Sequence, residues 1–502
     1  MNLISDPWLP VVFRDGSFRK VGLNEVFEKG HDIIDLILSP PERISVMRLL
    51  LCITHAAIDG PADDDEWRSC KSKILASVIA YLAGHQNQFE LFGEGAFLQL
   101  SGLQEKSNAL LDKLDPTLDI GDNRAVVYDH QSTSAGRNFP PDWCALKLIT
   151  YQNISVGGKI GSGNWNGKPF STGTSEQAPA LENCFLHTFL RGENLLDTIH
   201  YNLVTKEDIR KSPPLQWGHP VWEKMPTGVD DPEIKASTRS YLGRLVPVSR
   251  GIRLKQGEST ISLTNGFTYP KFDGRGFRDP FATVVTRNMG KKVVKQYLRV
   301  SLDKHPWRDL GAILSINEGS AFVFRKLLKI DPHSMVDVWT GGLSANKSSI
   351  HDAVEWSFRF EAGLVEDIYL SILRIGIDLA QAGEAALRSA LASYYQNLKY
   401  EGFSTRKAHP NKDALLEKGI HHYWNRLDGV HQTLLDMAQS QQSDPTAGQS
   451  SIDQDWRPLV QKAMRDTYGS VCPHGTARQL QAFVQGNMKL NLKRGTENPK
   501  NG

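Results

Sequence analysis

Cysteine is scarce in this sequence, and what there is does not form recognisable pairs. The 502 residues include five scattered cysteines with no CxxC pair: Cys52, Cys70, Cys144, Cys184 and Cys472. An odd, dispersed set argues against a disulfide framework and against a zinc site, and it is typical of a reducing compartment. We therefore expect a cytoplasmic protein that needs neither a metal ion nor a cofactor.

Long apolar runs are also missing. No stretch of 18 apolar residues occurs, so we predict that nothing spans a membrane. The first residues, MNLISDPWLPVVFRDG, lack a basic segment followed by an apolar one, so we expect no signal peptide.

Neither sign of charge dominates. The chain carries 58 Lys and Arg against 56 Asp and Glu, a net charge of +2. A protein that wraps nucleic acid by itself is usually far more basic. Near-neutrality favours local basic patches, or membership of a complex whose other subunits hold most of the phosphate, and it does not exclude DNA binding.

Recognisable catalytic constellations are absent from the sequence. His31-Asp32 and His351-Asp352 are isolated dipeptides without further ligands at metal-site spacing, and no G-x-S-x-G elbow occurs. We therefore predict that the chain is not an enzyme. A metal-dependent nuclease or hydrolase is the alternative from a different class, and a helical scaffold with no DNA role is a third interpretation.

The pattern of apolar residues predicts an α+β fold in two parts. Helices are expected at residues 44–57 and 67–82, among short β segments and turns. The last third shows apolar residues three and four apart, which is typical of amphipathic helices; these helices are predicted at residues 365–398, 416–437, 455–468 and 475–490. We expect a large irregular mixed domain over residues 1–363, followed by an antiparallel four-helix bundle over residues 364–502.

The most distinctive segment is a glycine-rich stretch at residues 155–168, called here the glycine loop. Its five glycines are Gly157, Gly158, Gly161, Gly163 and Gly167. Glycine lets a backbone approach another molecule closely, and the loop's N–H groups, with Lys159 and Lys168, suit a phosphate. The spacing fits neither a Walker A loop nor a dinucleotide fingerprint, and a flexible surface loop remains the alternative.

A second segment, residues 265–280, mixes basic and aromatic residues and is called the lysine loop. Its members are Lys271, Arg275, Arg278, Phe267, Tyr269, Phe272 and Phe277. Such a mixture suits contacts to phosphates and bases. The alternative is a hairpin whose aromatic rings pack inward and whose charges are merely solvated.

A third segment, residues 339–350, contains the paired glycines Gly341 and Gly342. They predict a tight turn that presents Asn346 and Lys347 at its tip, although ordinary turn chemistry also explains the pattern.

The order of these segments resembles that of the CasA family, the large subunits of type I-E CRISPR Cascade complexes. The opening residues 2–11 (NLISDPWLPV), the segment FLHTFLRG at 185–192, the lysine loop, the Gly341–Gly342 segment and the helical C-terminal part occur in the family's order. The resemblance spans nearly the whole chain.

This resemblance implies a DNA-binding subunit that recognises the protospacer-adjacent motif through the minor groove and starts strand separation and R-loop formation. Its partners would be the other Cascade subunits, CRISPR RNA, double-stranded target DNA and a trans-acting helicase-nuclease recruited by the helical bundle. Gly157, Gly158, Lys159 and Gly161 would lie at the groove and Lys271 would enter it. Asn346 would contact the motif, and Lys347 would form the tip of the wedge.

The resemblance also implies a role for residues 128–135, and this chain differs from the family in two respects. Residues 128–135 would contact the 5′ end of the guide and a neighbouring subunit. The wedge position is commonly Gln in the family, whereas this chain has Lys347. The Cys-rich zinc-binding insertion of some members is absent from the sequence, so no metal is expected.

Overall fold

The chain divides into two compact units. The computed structural model describes residues 1–105, 108–115, 137–170, 174–289, 292–315, 319–346, 349–365, 367–398, 410–440 and 451–492. The first unit comprises residues 1–302, 317–330 and 335–359, and the second comprises residues 303–316, 331–334 and 360–502. The assignment of separate domains to residues 1–363 and 364–502 stays a prediction.

The described part of the chain is mixed α/β, and its elements are as follows. The helices are α1 (Leu23–Glu28), α2 (Pro40–Ile58), α3 (Asp64–Ser69), α4 (Lys71–Gly84), α5 (Pro141–Asn153), α6 (Leu195–Tyr201), α7 (Lys206–Arg210), α8 (Glu233–Thr238), α9 (Tyr241–Leu245), α10 (Leu310–Ile313), α11 (Phe324–Leu327), α12 (Asp367–Leu398), α13 (Pro410–Asp428), α14 (His431–Ser440), α15 (Arg457–Val471) and α16 (Ala477–Asn487). The strands are β1 (Leu9–Phe13), β2 (Phe18–Val21), β3 (Ile33–Leu36), β4 (Leu103–Glu105), β5 (Ala109–Leu110), β6 (Gly158–Lys159), β7 (Gly163–Trp165), β8 (Lys168–Phe170), β9 (Thr174–Ser175), β10 (His187–Arg191), β11 (Arg250–Arg253), β12 (Thr260–Asn265), β13 (Val284–Met289), β14 (Lys292–Tyr297), β15 (Met335–Asn346) and β16 (Ser349–Glu361).

The core of the first unit is organised around α2, which confirms the helix predicted at 44–57. Its central residues are buried on every side and mostly apolar, with the buried Arg48 paired to Asp279, and the helix packs against α4, α5, α9 and β15. The Glu42 carboxylate accepts hydrogen bonds from the Ser39 N–H (2.9 Å) and hydroxyl (2.6 Å), and Pro40 begins the helix. These are the usual signals of a helix start.

Two predicted helices are each broken in two. The helix predicted at 67–82 is α3 and α4, because the side chain of Asp63 accepts from the Asp65 and Glu66 N–H groups and starts a separate short helix. The helix predicted at 416–437 is α13 and α14, with Gly429, a weak helix former, between them.

The strands form small antiparallel sheets, one of which contains Gly341 and Gly342. In the β10–β15–β16 sheet, His187 pairs with Gly341. A Cβ at residue 341 would lie 2.5 Å from the Trp339 ring, and one at 342 would lie 3.0 Å from the Phe185 carbonyl oxygen. Gly341 and Gly342 are therefore strand residues and not turn residues, and their missing side chains permit close packing, while β15 ends at Asn346 and β16 begins at Ser349.

The second unit is dominated by long helices, as expected for the C-terminal region. Helix α12 has 32 residues and packs against α13, α14, α15 and α16. Buried rings join the helices: the Trp456 indole donates to the Gly376 carbonyl (2.8 Å) and the Tyr423 hydroxyl to the Ala380 carbonyl (2.7 Å). The described part of this unit thus contains five helices of ten residues or more.

Candidate nucleic-acid interface

The glycine loop follows α5 and is built from very short strands. In β6, Gly158 and Lys159 pair with β9, while β7 pairs with both β4 and β8. A Cβ at Gly163 would lie 2.6 Å from the Gln104 carbonyl oxygen, so this glycine is required by close packing. Gly161 is exposed, and a Cβ there would meet only the Leu263 oxygen at 3.6 Å.

A buried arginine fastens the base of this loop. The Arg250 side chain is 2% exposed and donates to the carbonyls of Val156 (2.7 Å), Glu176 (3.0 Å) and Ser249 (2.7 Å). Burial lowers the pKa of its guanidinium from its ordinary value. Val156 immediately precedes Gly157, and Glu176 directly follows β9. Arg250 therefore joins the start of the glycine loop to the residue that follows β9.

Lys271 is brought to the same place by an ion pair. Its amine lies 2.5 Å from the Glu176 carboxylate, and the two side chains are 55% and 58% exposed. An exposed pair of this kind contributes about 0–1 kcal/mol, so a phosphate or base edge competes readily for the amine. Lys271 is therefore positioned beside the glycine loop while remaining available.

The other charges of the lysine loop divide into exposed and buried ones. Arg275 is exposed, as a nucleic-acid contact requires. Arg278 is buried, donates to the carbonyls of Ala282 (3.0 Å), Gly319 (2.7 Å) and Ser320, and has a pKa that burial lowers to about 10. The expectation that Arg278 meets phosphate is wrong, because its donors are used to hold the loop.

The aromatic residues of this loop also turn inward. Phe267 and Tyr269 are buried, and the Phe272 ring stacks on Tyr297 at 4.5 Å. For these rings the packed-hairpin alternative is the correct one.

A buried carboxylate holds the lysine loop at its backbone. Glu182, 5% exposed, accepts a hydrogen bond from the Phe272 N–H at 2.7 Å. Burial raises its pKa to about 7, against the opposing effects of the Phe272 hydrogen bond and the nearby Arg244. The residue next to Lys271 is thereby fixed.

Asn346 lies at the end of β15 and is exposed. Its neighbour Ala345 contacts Cys184 through two hydrogen bonds: the Ala345 N–H donates to the Cys184 sulfur, and the thiol donates to the Ala345 carbonyl, each at 3.3 Å. Lys347, the side chain of Lys159 and residues 128–135 lie outside the described part of the structure.

One segment, residues 176–184, therefore touches all three predicted elements and is called the bridging segment. Through Glu176 it reaches Lys271 and the start of the glycine loop, through Glu182 the backbone beside Lys271, and through Cys184 the residue before Asn346. Sequence reasoning missed Glu176, Glu182 and Arg250. No local pattern singles them out, and Arg250 shares its four-residue strand with Arg253.

An open groove of about 930 Å³ runs beside this segment. Its lining includes Phe170, Glu176, Asp230, Arg239, Arg250 and Tyr269. The Lys168 amine is paired with Asp230 at its edge. Charges of both signs therefore face the groove. Lys168 is already paired with Asp230, which belongs to the groove's own lining.

Metal ligation and membrane insertion receive no support from the described residues. Within them, no group of three or more His, Cys, Asp or Glu side chains is arranged to hold a metal ion. The helices in that part of the chain include none that is both long and apolar enough to cross a bilayer.

The fold defines a class of mixed α/β proteins with a C-terminal region of long helices. In this class a glycine-rich loop lies beside a loop that carries an exposed basic side chain. Within that class, the chain belongs to the CRISPR-associated protein Cse1 family, whose model matches residues 2–467. The resemblance found in the sequence is confirmed by this match.

Relatives and solved structures agree with this assignment. The CRISPR-associated protein CasA/Cse1 of Thermus thermophilus is 29% identical over 327 residues, which span 62% of this chain and 60% of that relative. The crystal structure of Thermobifida fusca Cse1 gives a TM-score of 0.77 at 17% identity, covering 98% of this chain and 97% of the other. A chain of a CRISPR RNA-guided surveillance complex gives 0.75 at 16% identity, covering 98% and 99%. At these identities the two structural matches show likeness of fold.

Proposed function

We propose that this chain is the large subunit of a type I-E Cascade surveillance complex, with CRISPR RNA and the other Cascade subunits as partners. In this role it recognises the protospacer-adjacent motif in double-stranded DNA and starts strand separation. Family membership supports the proposal, as does the likeness in fold to a chain of an RNA-guided surveillance complex. The subunit itself performs no catalytic step.

The observation that carries the proposal is the pairing of an exposed lysine with an anchored glycine loop. Arg250 holds the carbonyls of Val156 and Glu176, and the Glu176 carboxylate holds Lys271. A loop without side chains lets N–H groups come near a groove floor, and a flexible amine reaches the acceptors there. Because the minor groove presents a degenerate pattern, this set of contacts tolerates several motifs.

In this account Gly157, Gly158, Lys159 and Gly161 lie against the minor groove and Lys271 enters it. Asn346, exposed at the end of β15, contacts the motif or its backbone. Lys347 follows directly and unstacks the first base step, which costs a few kcal/mol that guide–target pairing and backbone contacts offset. As a cation, Lys347 also attracts a phosphate through its charge, whereas a neutral Gln at this position offers only the hydrogen bonds of its amide.

For the helical unit we propose the arrangement expected from the sequence, a four-helix bundle. Its long helices, α12 above all, pack through buried aromatic residues into a rigid body. Such a body suits two tasks: holding the displaced strand and docking the trans-acting helicase-nuclease.

The test is DNA binding by the reconstituted complex, using duplexes with and without the motif. Lys271→Ala should lower the ratio of the two affinities about tenfold, since each lost groove contact typically costs about 1–3 kcal/mol. It should also lower the slope of log K against log salt by about 1. Gly158→Val should reduce motif binding more than Gly158→Ala, because a larger side chain keeps the backbone farther from the groove.

Lys211→Ala is the matched control, because Lys211 is also an exposed lysine paired with a glutamate. It should leave the ratio unchanged. If Lys271→Ala and Gly158→Val both preserve motif discrimination, the assignment of the site is wrong.

A further inference from the structure

We propose that Glu182 is a positioning residue for motif recognition, and that the bridging segment fixes the glycine loop, Lys271 and the end of β15 at Asn346 relative to one another. This inference rests on the proposed function. It assigns a task to residues that contact no DNA in that account.

The first step is the hold on the backbone beside Lys271. Glu182 is buried, and its Oε1 accepts the Phe272 N–H at 2.7 Å. The Glu182 carboxyl oxygen can accept this N–H in both the ionised and the neutral form of the side chain. The Phe272 ring packs into a cluster with Phe185, Ala282 and Tyr297, so this residue is held at both its backbone and its side chain.

The second step is the hold on the lysine amine. Six residues before Glu182, the Glu176 carboxylate binds the Lys271 amine, while the Glu176 carbonyl is held by Arg250. One segment thus sets both where the lysine starts and where its amine rests. The same arginine sets the start of the glycine loop through Val156.

The third step is the hold on the end of β15. Two residues after Glu182, the Cys184 thiol makes two hydrogen bonds to the backbone of Ala345, next to Asn346. The turn between these points is tight, since Asn183 and Cys184 have positive φ angles of 54° and 52°. A shift of Glu182 therefore displaces both the lysine loop and the contact between Cys184 and Ala345.

Selectivity depends on this arrangement because groove contacts tolerate little displacement. Binding groups generally need to be held within about 0.5 Å of the productive geometry by a supporting layer of hydrogen bonds. A displaced Lys271 still meets phosphate but no longer meets the motif, so binding to any DNA persists while the preference is lost.

The experiment measures affinities of the reconstituted complex for duplexes with and without the motif. Glu182→Ala should lower their ratio about tenfold, equivalent to about 1.4 kcal/mol. Glu182→Gln should keep the ratio within about twofold, because the amide oxygen still accepts the Phe272 N–H. Glu182→Asp shortens the side chain and withdraws the acceptor, so it should behave like Glu182→Ala. If the Glu182→Ala variant does not assemble into the complex, Glu182→Asp is measured in its place.

The matched control is Glu42→Ala. Glu42 is also a buried carboxylate that accepts a backbone N–H, from Ser39 at 2.9 Å, and it belongs to a helix cap. It should lower stability without changing the ratio. An equal fall in the ratio for Glu42→Ala would overturn the proposal, because general destabilisation would then explain the effect.

A double-mutant cycle separates this inference from the function on which it rests. In the Lys271→Ala background, Glu182→Ala should cause no further loss of discrimination. A full additional loss, or a normal ratio for Glu182→Ala alone, would overturn the positioning role and leave the proposed function intact. A normal ratio for Lys271→Ala would also overturn the positioning role, and a normal ratio for Gly158→Val as well would refute the site assignment.

Discussion

Replacing Arg250 by methionine removes the clamp at the base of the glycine loop while keeping most of the apolar volume. Two carbonyls, those of Val156 and Glu176, lose their donor, whereas the Ser249 carbonyl keeps the Gly266 N–H. A buried acceptor left without a partner costs about 1–3 kcal/mol. Both lost bonds are only partly buried and the buried guanidinium itself is costly to desolvate, so the lower limit applies to each, about 2 kcal/mol in total.

Amide hydrogen exchange measures this loss of stability in the glycine loop itself. A local opening free energy lower by about 2 kcal/mol means about thirtyfold faster exchange. It should appear in peptides covering residues 154–165 and 174–184 and spare α2. Arg253→Met, on the same strand, is the control. Unchanged exchange at residues 154–165 in Arg250→Met would refute the idea that this arginine holds the loop.

Three further predictions concern stability. His187 is buried, and burial lowers its pKa to about 3. Below pH 6.5 the unfolded chain therefore binds more protons than the folded one, so the free energy of unfolding decreases as the pH is lowered. His187→Phe should gain about 3 kcal/mol over the wild type between pH 7 and pH 4 in urea unfolding. Burial raises the pKa of Glu182 from 4.5 to about 7, so its ionisation lowers stability progressively as the pH rises between these two values, and Glu182→Gln should gain about 2.5 kcal/mol over the wild type between pH 5 and pH 8. Gly341→Val should cost about 1–3 kcal/mol because its Cβ meets the Trp339 ring, whereas Gly161→Ala should stay within about 0.5 kcal/mol, as thermal unfolding would show.

The elements that local patterns predict well are those whose residues determine their own structure. Helix α2 has a capping signal and an apolar stretch, and α12 has a regular apolar stripe, so both are visible in the sequence. The break at Gly429 is visible only in hindsight, since an isolated glycine also occurs inside helices, as Gly383 does in α12.

The Gly341–Gly342 pair shows why glycines can be mistaken for turn residues. Paired glycines usually indicate a turn, but here the cause is crowding from the Trp339 ring and the Phe185 backbone. The Phe185 contact comes from a segment more than 150 residues away, and no local pattern encodes it.

The bridging segment was missed for the same reason. Glu182 binds the backbone of Phe272, 90 residues away, and Arg250 joins carbonyls 94 and 74 residues away. A glutamate that accepts a backbone N–H looks like any other in a sequence. Arg278 likewise resembles a phosphate contact until its carbonyl partners are known.

Photocrosslinking from position 161 tests the central claim most directly. Gly161 is exposed and its Cβ direction is open, so p-benzoylphenylalanine is accommodated there. In the reconstituted complex bound to target DNA, crosslinks should concentrate on the base pairs of the motif and disappear when the motif is changed. The same crosslinker at Phe18, which is 75% exposed, serves as the control and should not show this dependence. Crosslinks from position 161 that are absent, or that spread along the duplex regardless of the motif, would contradict the proposed role of the glycine loop.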